Sequence, residues 1–213
     1  LLAFYHHIHV GHVEAGLRTG DRWQPFPEEI NRRVAGVVAD LHFAPTEHSR
    51  QNLLKEGVPG WRIIVTGNPA IDALQEITRR PSPPLVTDLL SRLAVSPGSK
   101  QVVLVTAHRR ENLGQPLEQI CQALRRLAEA YRERLELVWP VHLNPQVQEP
   151  VRRLLGEIPN ITLLPPLDYL PMLHLMRGAV LVLTDSGGIK EEATSLGVPA
   201  LVLRDVAERP KGV

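Results

Sequence analysis

A single cysteine, Cys121, stands in the whole sequence, so no internal disulfide can form. That excludes a disulfide-stapled secreted scaffold and points to a reducing compartment. Net charge is nearly absent too: 24 Lys and Arg against 23 Asp and Glu leave +1. There is no basic field to hold a nucleic-acid polymer and no acidic tail to keep a segment solvated. Long apolar runs are missing; stretches such as 102–105 and 179–183 fall far short of the roughly 20 residues that span a bilayer. No transmembrane helix and no membrane partner are expected. The first residues carry no initiator Met, no basic n-region and no small-residue cleavage site, so they do not read as a signal peptide. The sequence stops at Lys211-Gly212-Val213, directly after a strongly patterned segment. Both ends are therefore expected to be interruptions of a longer protein.

What is present is an ordinary globular composition, 43% apolar and 22% charged over 213 residues, enough for one large domain or two small ones. The 19 prolines among those 213 residues make about 9%, against a usual ~5%, and they fall where elements end. Short apolar runs at 8–13, 41–44, 63–66, 102–106, 135–139, 161–164, 179–184 and 200–203 read as strands. Helix-period segments alternate with them. In the clearest, Leu117, Ile120, Cys121, Leu124, Leu127, Ala128 and Tyr131 recur on one face; Cys121 lies on that face and reads as core rather than nucleophile. A second helix is expected over 28–38, with Ile30, Val34, Val37 and Val38 forming its apolar face. Gly57 and Gly197 sit where left-handed caps end helices. Strand–helix alternation of this kind implies βαβ units and mainly parallel sheets, an α/β fold. The cluster Pro81-Ser82-Pro83-Pro84 and the turn Ser96-Pro97-Gly98-Ser99 mark a break. The expected division is a partial N-terminal domain over 1–80, a linker over 81–99 holding a short helix, and a C-terminal domain over 100–213.

Three stretches carry chemistry. In Thr184-Asp185-Ser186-Gly187-Gly188-Ile189-Lys190-Glu191-Glu192, a buried strand runs through two glycines into a helix. Glycines let a ligand approach the backbone, and the free N–H groups of the helix start suit a phosphate or diphosphate. Glu191 and Glu192 lie about 100° apart on the helix, so only one can face that ligand, where a carboxylate suits a ribose diol. The alternative is a tight strand–helix turn whose glycines serve packing. In Thr106-Ala107-His108-Arg109-Arg110-Glu111-Asn112, three potential cations follow a strand end, where doubly wound sheets bind ligands. His108 could shift charge as a diphosphate departs; the alternative is a loop held by an Arg–Glu ion pair. In the third stretch, Glu14 ends a strand and Glu28 opens a helix after a glycine-flanked loop. Two carboxylates in one cleft can serve as acid and base. Equally, Glu28 can stabilise a helix N-terminus and Glu14 can be ion-paired. His142, in Pro140-Val141-His142-Leu143-Asn144-Pro145, is a weaker binding candidate at another strand end, with Asn144 a good helix start. His6, His7 and His9 cluster without other ligands at metal-site spacing, so no metal is expected.

These stretches together resemble the bacterial non-hydrolysing UDP-N-acetylglucosamine 2-epimerases. Residues 12–20, 25–33, 41–46, 66–68, 106–112, 140–145, 166–171, 184–192 and 203–210 carry the match, in order and over nearly the whole chain. The resemblance implies two Rossmann-like domains in the glycosyltransferase-B arrangement, with the active site in the cleft between them. It implies a cytoplasmic homodimer that uses no cofactor and interconverts UDP-GlcNAc and UDP-ManNAc for surface polysaccharides. It also implies roles: Glu14 and Glu28 as acid/base carboxylates and His108 beside the diphosphate. Ser186, Gly187 and Gly188 would hold the diphosphate, Glu192 the ribose hydroxyls, and Arg209 the substrate or the closed form. His142 would lie near an allosteric or second substrate site, with Arg109 beside it. Three positions depart from the family. Its N-terminal basic residues and a third catalytic carboxylate, an Asp, precede Leu1; the aromatic residue that packs on uracil is here Met172; and the Gln before the Glu pair is Lys190. A hydrolysing epimerase, a transferase of the same fold and a non-catalytic UDP-sugar-binding piece are the competing readings.

Overall fold

A computed structural model of the chain describes residues 1–93, 95 and 99–203. It divides into two compact units, with the boundary after Asp72.

The first unit runs α1 (Leu2–Tyr5), β1 (Gly11–Val13), α2 (Glu28–Val38), β2 (Leu41–Ala44), α3 (Glu47–Lys55), a 3-10 turn (Gly60–Arg62), β3 (Ile63–Val65) and the start of α4 (Pro69–Ile77). Its sheet is parallel in the order β1-β2-β3. Local signals set the ends of α3. Thr46 Oγ1 accepts from the Ser49 N–H at 3.1 Å, an N-cap. At the other end Gly57 takes φ +85°, the Gly57 N–H reaches the Leu54 carbonyl and the Val58 N–H reaches the Leu53 carbonyl, the left-handed cap read from sequence. The core of this unit is small: Ala15, Ala44, Leu53 and Ile63, with Leu54 and Val58 packed on them.

The second unit holds the rest of α4, then α5 (Pro84–Arg92), β4 (Gln101–Thr106), a 3-10 turn (Arg110–Asn112), α6 (Gln115–Ala130), β5 (Leu135–Pro140), α7 (Pro145–Leu155), β6 (Ile161–Leu164), α8 (Tyr169–Arg177), β7 (Ala179–Thr184), α9 (Gly187–Ser195) and β8 (Ala200–Val202). The sheet is wholly parallel in the order β6-β5-β4-β7-β8. The two faces of β4 show why it sits at the centre. Val103 and Val105 point into a layer with Leu117, Cys121 and Leu124 of α6 and Val147, Val151 and Leu155 of α7. Val102 and Leu104 point the other way, against Leu89 of α5, Leu175 and Met176 of α8 and Ala193 of α9. Period-two alternation with apolar residues on both faces is the signature of a strand covered on both sides. Cys121 is fully buried, and burial pushes its thiol up to about 11, as a core residue. α9 ends like α3: Gly197 has φ +74° and the Val198 N–H reaches back to the Ala193 carbonyl.

The structure departs from the sequence reading in three places. The strand expected over 8–13 begins only at Gly11, because the chain before it turns through His7 at φ +56°. The stretch 81–99 is part of the second unit rather than a linker: α5 fills about half of it, buries Val86 and Leu89 and puts Leu89 into that unit's core, and the division between units falls earlier. α2 forms over the expected residues, yet its apolar face is only partly covered, with Ile30 and Val38 half-buried and Val34 and Val37 exposed. Val37 is 86% exposed, and the helix's buried residue is the charged Glu29.

Candidate functional site

The order of the second sheet reverses between β4 and β7: the chain leaves β4 toward β5 on one side and leaves β7 toward β8 on the other. At such a switch point the carboxyl ends of the strands part and leave a crevice. The two ends are locked together. Thr106 and Thr184 share a buried hydroxyl–hydroxyl bond of 2.6 Å, and the Asp185 N–H donates to the Thr106 carbonyl at 3.2 Å. The crevice therefore has fixed lips, one carrying His108 and the other Ser186 to Gly188.

On the β7 side, Ser186 caps α9, its Oγ accepting from the Ile189 N–H at 3.4 Å, while its own N–H donates to Thr184 Oγ1 at 3.0 Å. Gly187 and Gly188 are the first residues of the helix, where N–H groups have no intrahelical acceptor and the macrodipole favours an anion. A Cβ built on Gly188 would meet only Ser186 Oγ, at 3.9 Å. Neither glycine has a positive φ, so backbone conformation does not require them. Crowding does not require Gly188 either. Packing, the competing explanation of the glycines, loses its support there.

One turn on, Glu191 is buried and Glu192 is half-buried, separating the pair as the helical spacing requires. Glu192 Oε1 accepts from the Tyr169 hydroxyl at 3.1 Å. Burial raises the Glu192 carboxyl above its ordinary range; burial and the Glu192 charge push the Tyr169 phenol up to about 12. Met172, one turn from Tyr169 on α8, is half-buried at the edge of the core. Tyr169 has no role in the sequence reading; an aromatic residue opening a helix in the matched stretch 166–171 was its only signal.

On the β4 side, the His108 imidazole stacks on that of His142, centroids 5.6 Å apart and planes within 14°. His142 Nδ1 accepts the Asn144 N–H at 3.1 Å, and the Asn144 side chain caps α7 by accepting from the Gln146 N–H at 3.0 Å. Asn144 starts the helix as expected, and His142 stands beside His108. The 109–112 loop is anchored on Asp185. The His108 and Arg109 N–H groups and Asn112 Nδ2 all converge on the buried carboxylate of Asp185, a residue the sequence reading leaves without a role. Arg109 Nε is buried without a hydrogen bond. Arg209 lies outside the described residues.

In the first unit, Glu14 follows β1 at φ +59°, a left-handed conformation that a side chain adopts only where surroundings enforce it. They do: the Ala15 N–H is tied to the Phe43 carbonyl at 3.0 Å. Gly16 passes so close to α3 that a Cβ would lie 2.2 Å from the Ser49 carbonyl oxygen. Glu28 is the first residue of α2, and its Oε2 is buried without a hydrogen bond. Glu28 stands in the first turn of the helix, as expected, and its neighbour Glu29 holds the preceding loop. Glu29, fully buried, accepts from the Thr19 and Gly20 N–H groups at 3.1 and 3.4 Å and pairs with Arg33 at 3.1 Å. Beneath the same loop, His12 and His42 meet edge to face, both with pKa values lowered chiefly by burial. Among the described residues, no group of three or more His, Cys, Asp or Glu is placed to hold a metal ion, and no helix is long and apolar enough to cross a membrane.

The second unit is thus a doubly wound α/β unit with a helix N-terminus opening at its switch point. Comparison with known proteins narrows the class. All of residues 1–213 match the family described as UDP-N-acetylglucosamine 2-epimerase, and the chain belongs to that family. A Yersinia pestis UDP-N-acetylglucosamine 2-epimerase is 56% identical over 215 aligned residues, covering 100% of this chain and 57% of the relative. A UDP-GlcNAc 2-epimerase from Neisseria meningitidis, solved bound to UDP-GlcNAc, superposes with a TM-score of 0.91 at 45% identity, covering 98% of this chain and 56% of that one. One from Methanocaldococcus jannaschii, in complex with UDP-GlcNAc and UDP, superposes with a TM-score of 0.81 at 34% identity, covering 98% and 57%. The chain spans about 57% of the length of the curated relatives it matches.

Proposed function

We propose that the full-length protein interconverts UDP-GlcNAc and UDP-ManNAc, an isomerisation without a cofactor, by eliminating UDP and adding it back. The observation that carries the reading is the switch point, where a Ser-Gly-Gly helix start with room for a Cβ at Gly188 stands with His108. Relatives described as bound to UDP-GlcNAc support it. Carbon 2 of the sugar has no adjacent carbonyl to acidify its proton, so direct inversion there is unfavourable. Elimination avoids the difficulty. A base takes the proton from carbon 2, the bond from carbon 1 to the diphosphate oxygen breaks, and its electrons leave with UDP; a 2-acetamidoglucal remains. Return of a proton to the other face of carbon 2, with UDP rejoining carbon 1, completes the inversion.

Each group then has a task. The N–H groups of Ser186, Gly187 and Gly188 hold the diphosphate, and His108 offers it positive charge as it departs. Glu192 receives the ribose hydroxyls, oriented by Tyr169, and Met172 covers the uracil. Glu14 and Glu28 move the proton at carbon 2; the buried, unbonded Oε2 of Glu28 suits a carboxylate whose partner is the substrate. Arg209 contacts substrate, and His142 and Arg109 border a second substrate or allosteric site. The protein is proposed to be a cytoplasmic homodimer of the glycosyltransferase-B class, supplying ManNAc for surface polysaccharides. Incubation of the full-length protein with UDP-GlcNAc tests this. UDP-ManNAc with solvent deuterium at carbon 2 is expected; free ManNAc with UDP would make it a hydrolysing epimerase, transfer to an acceptor a transferase, and binding without turnover a UDP-sugar-binding protein.

A further inference from the structure

The loop after β4 is organised by a carboxylate rather than by apolar packing. Asp185 is fully buried at the end of β7. Through Oδ2 it accepts the His108 N–H at 2.9 Å, the Arg109 N–H at 2.8 Å and Asn112 Nδ2 at 3.0 Å. Three bonds to one oxygen fix the carboxylate in place. Its other oxygen, Oδ1, is enclosed and has no hydrogen bond; it faces His108 Nδ1 at 3.6 Å, a few tenths of an ångström beyond bonding length. An unsatisfied buried oxygen is costly, and a small shift of the imidazole would give it the donor it lacks. The imidazole, 41% exposed, is the partner free to move.

We propose that Asp185 is a positioning residue for the reaction: it holds His108 with a proton on Nδ1, so that Nε2 is the atom presented to the departing diphosphate. Its consequence for turnover rests on the epimerase reading; the tautomer does not. The stacked neighbour is set the other way. His142 Nδ1 accepts the Asn144 N–H, so neutral His142 carries its proton on Nε2, and the two parallel rings hold opposite tautomers.

The charges around His108 give Asp185 a second effect. Burial, Arg109 and His142 disfavour the imidazolium, with burial the largest influence, whereas Asp185 and Glu111 favour it. The net shift is downward, and Asp185 is the strongest opposing charge. The imidazolium is the form that carries a proton on Nε2 for the leaving diphosphate. That assistance is present below the His108 pKa and is lost as the pH rises through it. Removing the Asp185 charge moves the loss to lower pH.

Nitrogen-15 NMR of histidine-labelled protein at alkaline pH, with His108 assigned by its absence from His108→Gln, reads the tautomer in the unaltered chain. A proton on Nδ1 of His108 is expected; a proton on Nε2 overturns the proposal. In the full-length protein, Asp185→Asn preserves the shape and an acceptor for the three donors but turns an amide N–H toward Nδ1. The expected result is a kcat about 10²-fold lower, an alkaline limb at lower pH, and a UDP Kd within about threefold of the original. Equal losses of kcat and UDP affinity with an unmoved limb would show a merely structural residue and overturn it. Should the variant fail to fold, the tautomer of the unaltered protein still decides. Failure of the epimerase reading would appear separately, as no UDP-ManNAc from the unaltered protein.

Discussion

The two units solve the same problem, holding loops at the ends of parallel strands, by different means. The second has five strands covered on both faces, and its site loops hang from strand ends bolted by Thr106, Thr184 and Asp185. The first has three strands and a handful of small buried apolar residues. It holds its loop with charges instead: Glu29 beneath Thr19 and Gly20, Arg33 on Glu29, and Arg18 on Glu56. Apolar burial scales with area and is indifferent to pH, whereas charge-assisted bonds are directional and titrate. The seat for the nucleotide is therefore expected to be robust, and the carboxylate region sensitive to single polar substitutions.

The sharpest test of that contrast separates chemistry from binding. In the full-length protein, Glu14→Gln or Glu28→Gln should lower kcat by about 10²–10⁴ while leaving UDP affinity nearly unchanged, as for lost acid–base catalysis. Steady-state kinetics beside calorimetric titration with UDP measures both. Near-original turnover in either variant would remove that residue from the proton transfer.

Substitution in the second unit should do the reverse. Loss of a hydrogen-bonded carboxylate costs about 1.5–3 kcal/mol, so Glu192→Ala should weaken UDP binding roughly 10–150-fold. Inorganic diphosphate, which lacks the ribose, should bind as before. Equal losses for the two ligands would take Glu192 off the ribose. Tyr169→Phe removes the hydroxyl that holds Glu192 and should give a smaller effect of the same kind, within about tenfold.

The stapling carboxylate of the first unit should register in stability. Glu29→Gln keeps the side chain's size but removes the charge facing Arg33 and two backbone donors, and should cost about 1–3 kcal/mol. Thermal unfolding reads it, and protection of the Thr19 and Gly20 amides from hydrogen exchange should fall with it. A change confined to the second unit's amides would contradict the assignment.

The parts of this architecture that were legible in the sequence are local. The strand runs, the helix over 28–38, the caps at Gly57 and Gly197 and the Ser-Gly-Gly helix start are each written within a few adjacent residues. The illegible parts depend on residues distant in sequence. Asp185 meets His108 across 77 positions and Tyr169 meets Glu192 across 23; no local period announces either. The pair Glu28-Glu29 shows the limit from another side. Adjacent and identical, the two glutamates lie about 100° apart on α2, and only the fold tells which one the loop needs. Hydrophobic periodicity placed α2 correctly, yet could not reveal that Val34 and Val37 of its apolar stripe stay exposed, because periodicity reports a face and not its cover.

The smallest effect expected is also the one that most directly distinguishes a charge-built unit from an apolar one. Arg18 grips Glu56 at the end of α3 with two bonds, 2.7 and 2.8 Å. The hydrogen bond from Arg18 is the main cause holding the Glu56 carboxyl below its ordinary value. Its folded pKa is depressed, so the stabilisation is fully present above the unfolded value of 4.5 and is lost as the pH falls through the folded one. Glu56 is 36% exposed, and solvent screening limits the pair to about 1 kcal/mol or less. Glu56→Gln should therefore lower stability slightly at neutral pH and leave it unchanged at acid pH, where the original side chain is protonated as well. Leu104→Ala in the second unit should instead cost about 2–5 kcal/mol at both pH values, since a cavity does not titrate. Unfolding of the two variants at neutral and acid pH makes the comparison, and a Glu56→Gln loss that persists undiminished at acid pH would mean that the contact stabilises by packing rather than by charge.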